Sequence, residues 1–157
     1  MSRTATTVSV VTTDGPAGRC GVTVSAMTSL SADAPAPSLI VGVNDSSAAA
    51  RASQENGCFC VNILHRNQTH LSDVFAGRHK TRYRSKFDCG QWFTMETGAP
   101  AAKDATASLD CTLHSAQKHG THWILIGDVR TIQIGQESAP LIYVNRQPTN
   151  VDTLPDN

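Results

Sequence analysis

The chain has 157 residues, enough for one domain that buries a core without disulfides or metals. Lys plus Arg equals Asp plus Glu at 13 each, so there is no net basic field to gather nucleic-acid phosphates or an anionic membrane. Only 17% of residues are charged and 39% are apolar, the rest being rich in Ser, Thr, Ala and Gly, which is a folded composition and not a disordered one.

Val8 to Thr13 predicts a strand, ended by the turn cluster Asp14-Gly15-Pro16. Gly21 to Ser31 reads as one longer strand, with Val22, Val24, Ala26, Thr28 and Leu30 on one face and Thr23, Ser25, Met27, Ser29 and Ser31 on the other. After the Pro-rich break at Ala34 to Pro37, Ser38 to Val43 predicts a short buried strand. Asn44-Asp45-Ser46-Ser47 are helix-capping residues ahead of a short helix from Ala48 to Gln54, stopped by Asn56-Gly57. A strand over Cys58 to Leu64 and a second short helix over Gln68 to Ala76 follow, the latter with Leu71 and Phe75 at i, i+4 and Gly77 as its stop.

Arg78 to Lys86 reads as an exposed basic loop, in which Arg78, Lys80, Arg82 and Arg84 are able to meet a 2′-phosphate or are simply solvated. Phe93 to Glu96, Ala107 to Ser115, Trp123 to Ile134 and Leu141 to Val144 predict four more strands, with turns near Gly98-Ala99-Pro100, His119-Gly120 and Gly135. A tail from Pro148 is expected to fray, which leaves one domain over 1–157 with a core from about residue 6 to 147. Many short strands and two short helices define a mostly β barrel or sandwich, and the absence of Gly-x-Gly-x-x-Gly excludes a Rossmann motif.

No apolar run approaches the roughly 18 residues of a spanning helix, and the N-terminus lacks the three regions of a signal peptide. The odd set Cys20, Cys58, Cys60, Cys89 and Cys111 is read as reduced, mostly buried thiols of a cytoplasmic protein in preference to a disulfide frame. Two histidines three apart and Cys58-x-Cys60 lack zinc-site spacing, so no metal is expected.

Three groups of residues carry possible chemistry. The hydroxyl stripe Thr23, Ser25, Ser29 and Ser31 suits the carbonyls and ring nitrogens of a flavin edge, or is a solvated strand face. Asn44, Ser46 and Ser47 at a helix start form a phosphate cradle or a plain cap. His119 and His122 flank Gly120-Thr121, where Lys118 adds positive character and a histidine offers a hydrogen bond to a nicotinamide amide or tunes a flavin's surroundings, while Tyr143 and Arg146 offer an aromatic face and a cation to a dinucleotide pyrophosphate. Solvated turn and edge-strand residues are the alternatives.

In order along the chain, Val10-Val11-Thr12-Thr13-Asp14-Gly15, Gly21-Val22-Thr23-Val24-Ser25-Ala26 with Ser29 and Ser31, Asn44 with Ser46-Ser47, and Asn56-Gly57-Cys58-Phe59-Cys60-Val61-Asn62-Ile63-Leu64 resemble the flavin reductase family of two-component monooxygenases. Phe75-Ala76-Gly77, Gly98-Ala99-Pro100, Gly120-Thr121-His122 and Pro140-Leu141-Ile142-Tyr143 continue the match, which runs from about Val8 to Arg146.

The resemblance implies an FMN-binding split β-barrel, a homodimer, and FMN or FAD held by Thr23, Val24, Ser25, Ala26, Ser29, Ser31, Asn44, Ser46, Ser47 and Asn62. It further implies NADH or NADPH lying by His122, Tyr143 and Arg146, and a separate flavin-dependent monooxygenase as recipient of the reduced flavin. Electron transfer from tightly bound flavin to another acceptor such as a corrinoid, and a non-catalytic flavin-binding module, are the alternative roles. Two features depart from the family pattern: this sequence enters its first strand within a few residues of Met1, without the usual helical segment, and Pro148 stands where an aromatic residue is common.

Overall fold

The computed structural model describes residues 3–33, 35–78, 83–136, 139–145 and 147–150. Its main layer is a seven-stranded antiparallel sheet in the order β3-β2-β6-β9-β10-β5-β4. These strands are β2 (Ser9–Thr13), β3 (Cys20–Val24), β4 (Met27–Ser31), β5 (Ser38–Asn44), β6 (Cys58–Ile63), β9 (Ala107–His119) and β10 (His122–Ile134). A three-stranded sheet joins β1 (Thr6–Thr7), β11 (Leu141–Val144) and β12 (Gln147–Asn150), and β7 (Trp92–Thr94) pairs with β8 (Pro100–Ala102).

The expected single strand over Gly21 to Ser31 is two strands, and they occupy opposite ends of the sheet. Seven strands laid flat would set the outer two roughly 29 Å apart at about 4.8 Å per neighbour. The three peptide units from Val24 to Met27 reach at most about 11 Å. The sheet is therefore rolled until its first and last strands approach at the Ser25–Ala26 corner, where Ala26 accepts the Gly42 N–H at 2.8 Å. The corner also shifts the side-chain phase: Val22, Val24 and Met27 pack on one core cluster, whereas Leu30 is 52% exposed. The even-numbered face predicted across the whole segment thus holds only for its first half.

Inside the curled sheet lie Val11, Val41, Val43, Phe59, Val61 and Leu125. A second cluster, under α2 (Thr69–Phe75), gathers Val10, Leu64, Leu71, Phe75 and Leu141. Helix α1 (Ala48–Asn56) starts on Ser47, whose hydroxyl accepts the Ala49 N–H, and stops at Gly57 with φ 68°, as the sequence signals require. All five cysteines are free thiols, and Cys58, Cys60 and Cys111 are buried.

Several expectations are corrected. Gln147–Asn150 pairs with β11 where fraying was expected, while the turn expected near Gly98 is present and Pro100 opens the strand after it. Strand β1 and a 3-10 turn over Lys86–Cys89 were not anticipated. Asn62, grouped with the flavin contacts by the resemblance, is fully buried: its amide donates to the Val10 carbonyl and the Thr12 hydroxyl, and its oxygen accepts from the Ala102 N–H and the Ser108 hydroxyl. With every polar position engaged within the sheet, this side chain is a structural tie between β2, β6, β8 and β9. Among the described residues, no helix is long and apolar enough to cross a membrane.

Candidate functional site

Four separated segments close around a cleft of about 580 Å³: the start of β3, the β5–α1 corner, the end of α2, and residues 85–87. That volume lies within the roughly 300–1,000 Å³ range of ligand sites. Gly21 is needed on one wall, because a Cβ there would lie 2.5 Å from the Phe75 ring. Phe75 packs edge-on against Phe87 at 5.1 Å and tilted against Trp92 at 5.3 Å, which gives the cleft an aromatic backing. Lys86 Nζ donates to the Phe75 carbonyl at 3.0 Å, and the Arg19 guanidinium lies 5.5 Å from the Phe87 ring centre. Two cationic side chains therefore stand on this wall.

The opposite wall is the corner between β5 and α1. Asn44 Oδ1 accepts from the Ser46 N–H at 2.9 Å and the Ser46 hydroxyl at 2.7 Å, and the Ser47 N–H donates to the Asn44 carbonyl. This ring of bonds fixes the turn. Ser47 Oγ uses a lone pair for the Ala49 N–H, so its own proton can still be donated, at the positive end of the nine-residue helix. Thr23 bridges toward α2 by donating to the Ser72 carbonyl at 2.6 Å, which leaves its oxygen lone pairs as acceptors.

Thr23 also lines a smaller adjoining cavity of about 140 Å³, together with Val24, Ser25, Ser72, Tyr143 and Pro148. Tyr143 and Pro148 are register partners on β11 and β12. Arg78 lies there as well, ion-paired with Asp73 at 2.6 Å. This cavity is too small for a flavin ring system and reads as an extension of the main cleft.

The fold thus brings Thr23, Asn44, Ser46 and Ser47 into one cleft, with Val24, Ser25 and Tyr143 next to it. Ala26 forms part of the corner itself and Ser29 and Ser31 lie beyond it on β4, and none of the three lines either space. His122 is exposed, paired in register with Asn44, and its Nδ1 lies 3.0 Å from Thr121 Oγ1. Gly120, with φ 57°, makes the tight turn that places His119 and His122 opposite each other at the hairpin end. Asp45, beyond Asn44, accepts from Lys118 Nζ and the Trp123 indole N–H, and these donors hold its carboxyl below the usual carboxylate range. Arg146, Lys80 and Arg82 lie outside the described residues.

Lys86, Phe87 and Arg19 were missed by sequence reasoning, although a signal existed. Ser85-Lys86-Phe87-Asp88 forms a capping box, with the Ser85 hydroxyl bonded to the Phe87 N–H and Asp88 Oδ2 accepting the Ser85 N–H. Such a box marks an ordered turn where a solvated loop was expected. Cys20 also faces the cleft, and burial raises its thiol pKa.

A flavin nucleotide fits these groups: neutral hydroxyls and backbone for a ring edge, an aromatic backing, and a helix start with a free hydroxyl proton for a phosphate. A mostly β domain with a cleft of this kind defines a flavin-binding class of protein. Comparison with known proteins narrows it. The model of the flavin reductase like domain matches residues 1–152. The FMN reductase (NADH) RutF of Variovorax paradoxus (strain S110) is 41% identical over 147 residues, covering 94% of this chain and 79% of its own. BorF, the flavin reductase component of a bacterial two-component tryptophan halogenase, superposes with a TM-score of 0.86 at 31% identity, covering 98% of this chain and 94% of its own. A homologue of nitrilotriacetate monooxygenase component B from Mycobacterium thermoresistibile has a TM-score of 0.86 at 27% identity, covering 99% and 87%. The chain belongs to the flavin reductase family and is an NAD(P)H:flavin oxidoreductase.

Proposed function

We propose that the larger cleft holds FMN or FAD, with its phosphate at the Ser46–Ser47 corner and its ring edge along Thr23, Val24 and Ser25, and that the reduced flavin leaves for a separate monooxygenase. The observation that carries this reading is the convergence of Thr23, from one stretch of sequence, with Asn44, Ser46 and Ser47, from another, on one cleft. Relatives that serve as the reductase component of a halogenase and as component B of a monooxygenase support a separate oxygenase partner. The same relatives support reading the curled sheet as a split β-barrel. The exposed Leu30, Ile132 and Ile134 suit a homodimer, with sedimentation velocity as the check.

Bound in this cleft, FMN or FAD together with NADH or NADPH would supply the redox chemistry, a hydride passing from nicotinamide C4 to flavin N5. The protein's part is to bind and orient. Thr23 and Ser47 present neutral hydrogen-bonding groups, the Phe75 cluster keeps water from one side of the cleft, and His122, the register partner of Asn44, is the group offered to the nicotinamide amide. No side chain is required as an obligatory acid or base.

Purified protein is expected to oxidise NADH or NADPH through many turnovers when free FMN or FAD is added, and no flavin-dependent turnover would sink the proposal. A yellow protein that ignores added flavin would point instead to transfer from bound flavin to another acceptor. His122→Ala is expected to raise the nicotinamide KM about three- to tenfold, the range of one lost hydrogen bond, while flavin affinity, read by fluorescence titration, stays constant. Loss of flavin binding in that variant would show the site to be divided differently.

A further inference from the structure

The turn that carries His122 is fastened to the Asn44–Ser47 corner through Asp45. The Asp45 carboxylate accepts from Lys118 Nζ at 2.6 Å through Oδ2 and from the Trp123 indole N–H at 2.6 Å through Oδ1. Its backbone N–H donates to the Thr121 carbonyl at 2.9 Å. The three partners bracket His122: Lys118 lies on β9, Thr121 in the turn, and Trp123 directly after it. The β5–β10 ladder ends on the pair His122 and Asn44, so Asp45 is the first residue past regular pairing. Among the described residues, these are the hydrogen bonds that tie the turn to the corner beyond the ladder.

Both bodies on either side of this joint are locally fixed. The corner is closed by Asn44 Oδ1 on Ser46, and the turn by the His119–His122 pairing. An exposed ion pair alone contributes little to stability, and the Asp45 and Lys118 side chains are 42% and 49% exposed. A residue whose carboxylate also takes an indole N–H and whose own backbone N–H donates across the same gap does something else: it fixes the relative placement of two loops. Displacement of a donor by about 1 Å is enough to lose the hydrogen bond it offers a ligand.

We infer that Asp45 is a positioning residue, which holds the His122 turn against the Ser46–Ser47 corner and so sets the spacing between the nicotinamide side and the phosphate side of the site. This rests on the reading of His122 given above. Asp45 need touch neither substrate; it acts through the turn.

A double-mutant cycle on the intact protein tests it, comparing wild type, Asp45→Ala, His122→Ala and the double variant for nicotinamide KM, flavin KM and kcat. Asp45→Ala is expected to raise the nicotinamide KM about three- to tenfold, with flavin KM and kcat within about twofold, and to add nothing once His122 is absent. Asp45→Asn, which keeps an acceptor for the Trp123 indole but drops the charge facing Lys118, should recover part of the loss. An equal effect of Asp45→Ala with and without His122 overturns the proposal, and so does a wild-type KM in Asp45→Ala. Should Asp45→Ala lose its fold by circular dichroism, Trp123→Phe probes the same joint, and absence of a His122-dependent rise there overturns the proposal too. If His122→Ala alone leaves the nicotinamide KM unchanged, the reading of His122 has failed and the inference falls with it; if His122→Ala raises it and Asp45→Ala does not, only the inference has failed.

Discussion

Asn62 and Asn44 are the same residue on strands of the same curled sheet, and they are used in opposite ways. Asn62 sits mid-strand with no exposure, and both ends of its amide are engaged by β2, β8 and β9. Asn44 ends its strand, exposed, and spends its oxygen on organising Ser46, which shapes a wall of the cleft. The difference teaches that the same small polar residue serves a binding surface at a strand end and a strand tie in mid-sheet. Within the sheet, the same chemistry is consumed by tying strands together.

The sharpest way to break this comparison is Asn62→Ala. It would leave the buried Ala102 N–H and Ser108 hydroxyl without their shared acceptor, so a loss of about 3 kcal/mol or more is expected in denaturant unfolding. Flavin affinity of the folded protein should be unchanged. Loss of flavin binding at full stability would return Asn62 to the site and abolish the distinction.

Ser47→Ala is a smaller perturbation of the other region. Removing the cap should cost about 1 kcal/mol in thermal unfolding and should also weaken flavin binding several-fold, since the hydroxyl proton at the helix start goes with it. A stability loss with unchanged affinity would reduce Ser47 to a cap alone.

The gentlest probe is thiol modification at pH 8. Cys20, part-exposed on the cleft, is expected to react slowly and to be shielded by added FMN. Cys60 and Cys111 should react only on unfolding: burial raises both thiols, Cys111 to about 12, with the nearby Asp110 charge adding to it. Indifference of Cys20 to flavin would place the ligand elsewhere.

How far the sequence reveals this fold depends on whether the signal is local. Ser47 and Asn56-Gly57 mark the ends of α1 correctly, since caps are decided within a turn of chain. The Gly21–Ser31 segment misleads because apolar alternation runs unbroken through the Ser25–Ala26 corner, which lacks the Gly or Pro that usually announces a bend. Ser29 and Ser31 join the expected hydroxyl stripe by parity alone, and the corner carries them off to the other edge. Pro100 and Pro148, ordinarily strand breakers, start or occupy edge strands where a missing N–H is tolerated. The Asn44–Ser47 corner was legible as a helix start because its capping groups are neighbours in sequence. Lys86, Phe87 and Arg19 were not, since only long-range packing on Phe75 brings them to the cleft.

The β9–β10 hairpin has a further consequence, for the order of assembly. Its thirteen-residue arms pair across a two-residue turn, from His119 opposite His122 outward, so its contacts are close in sequence. Such pairing is inexpensive in chain entropy and is expected to form early, whereas the cleft needs Thr23, Asn44, Phe75 and Lys86 to meet from distant stretches. Ligand affinity is then the last property a refolding molecule acquires. A variant that keeps its far-ultraviolet signal but not its flavin has lost that final step, with the scaffold still intact.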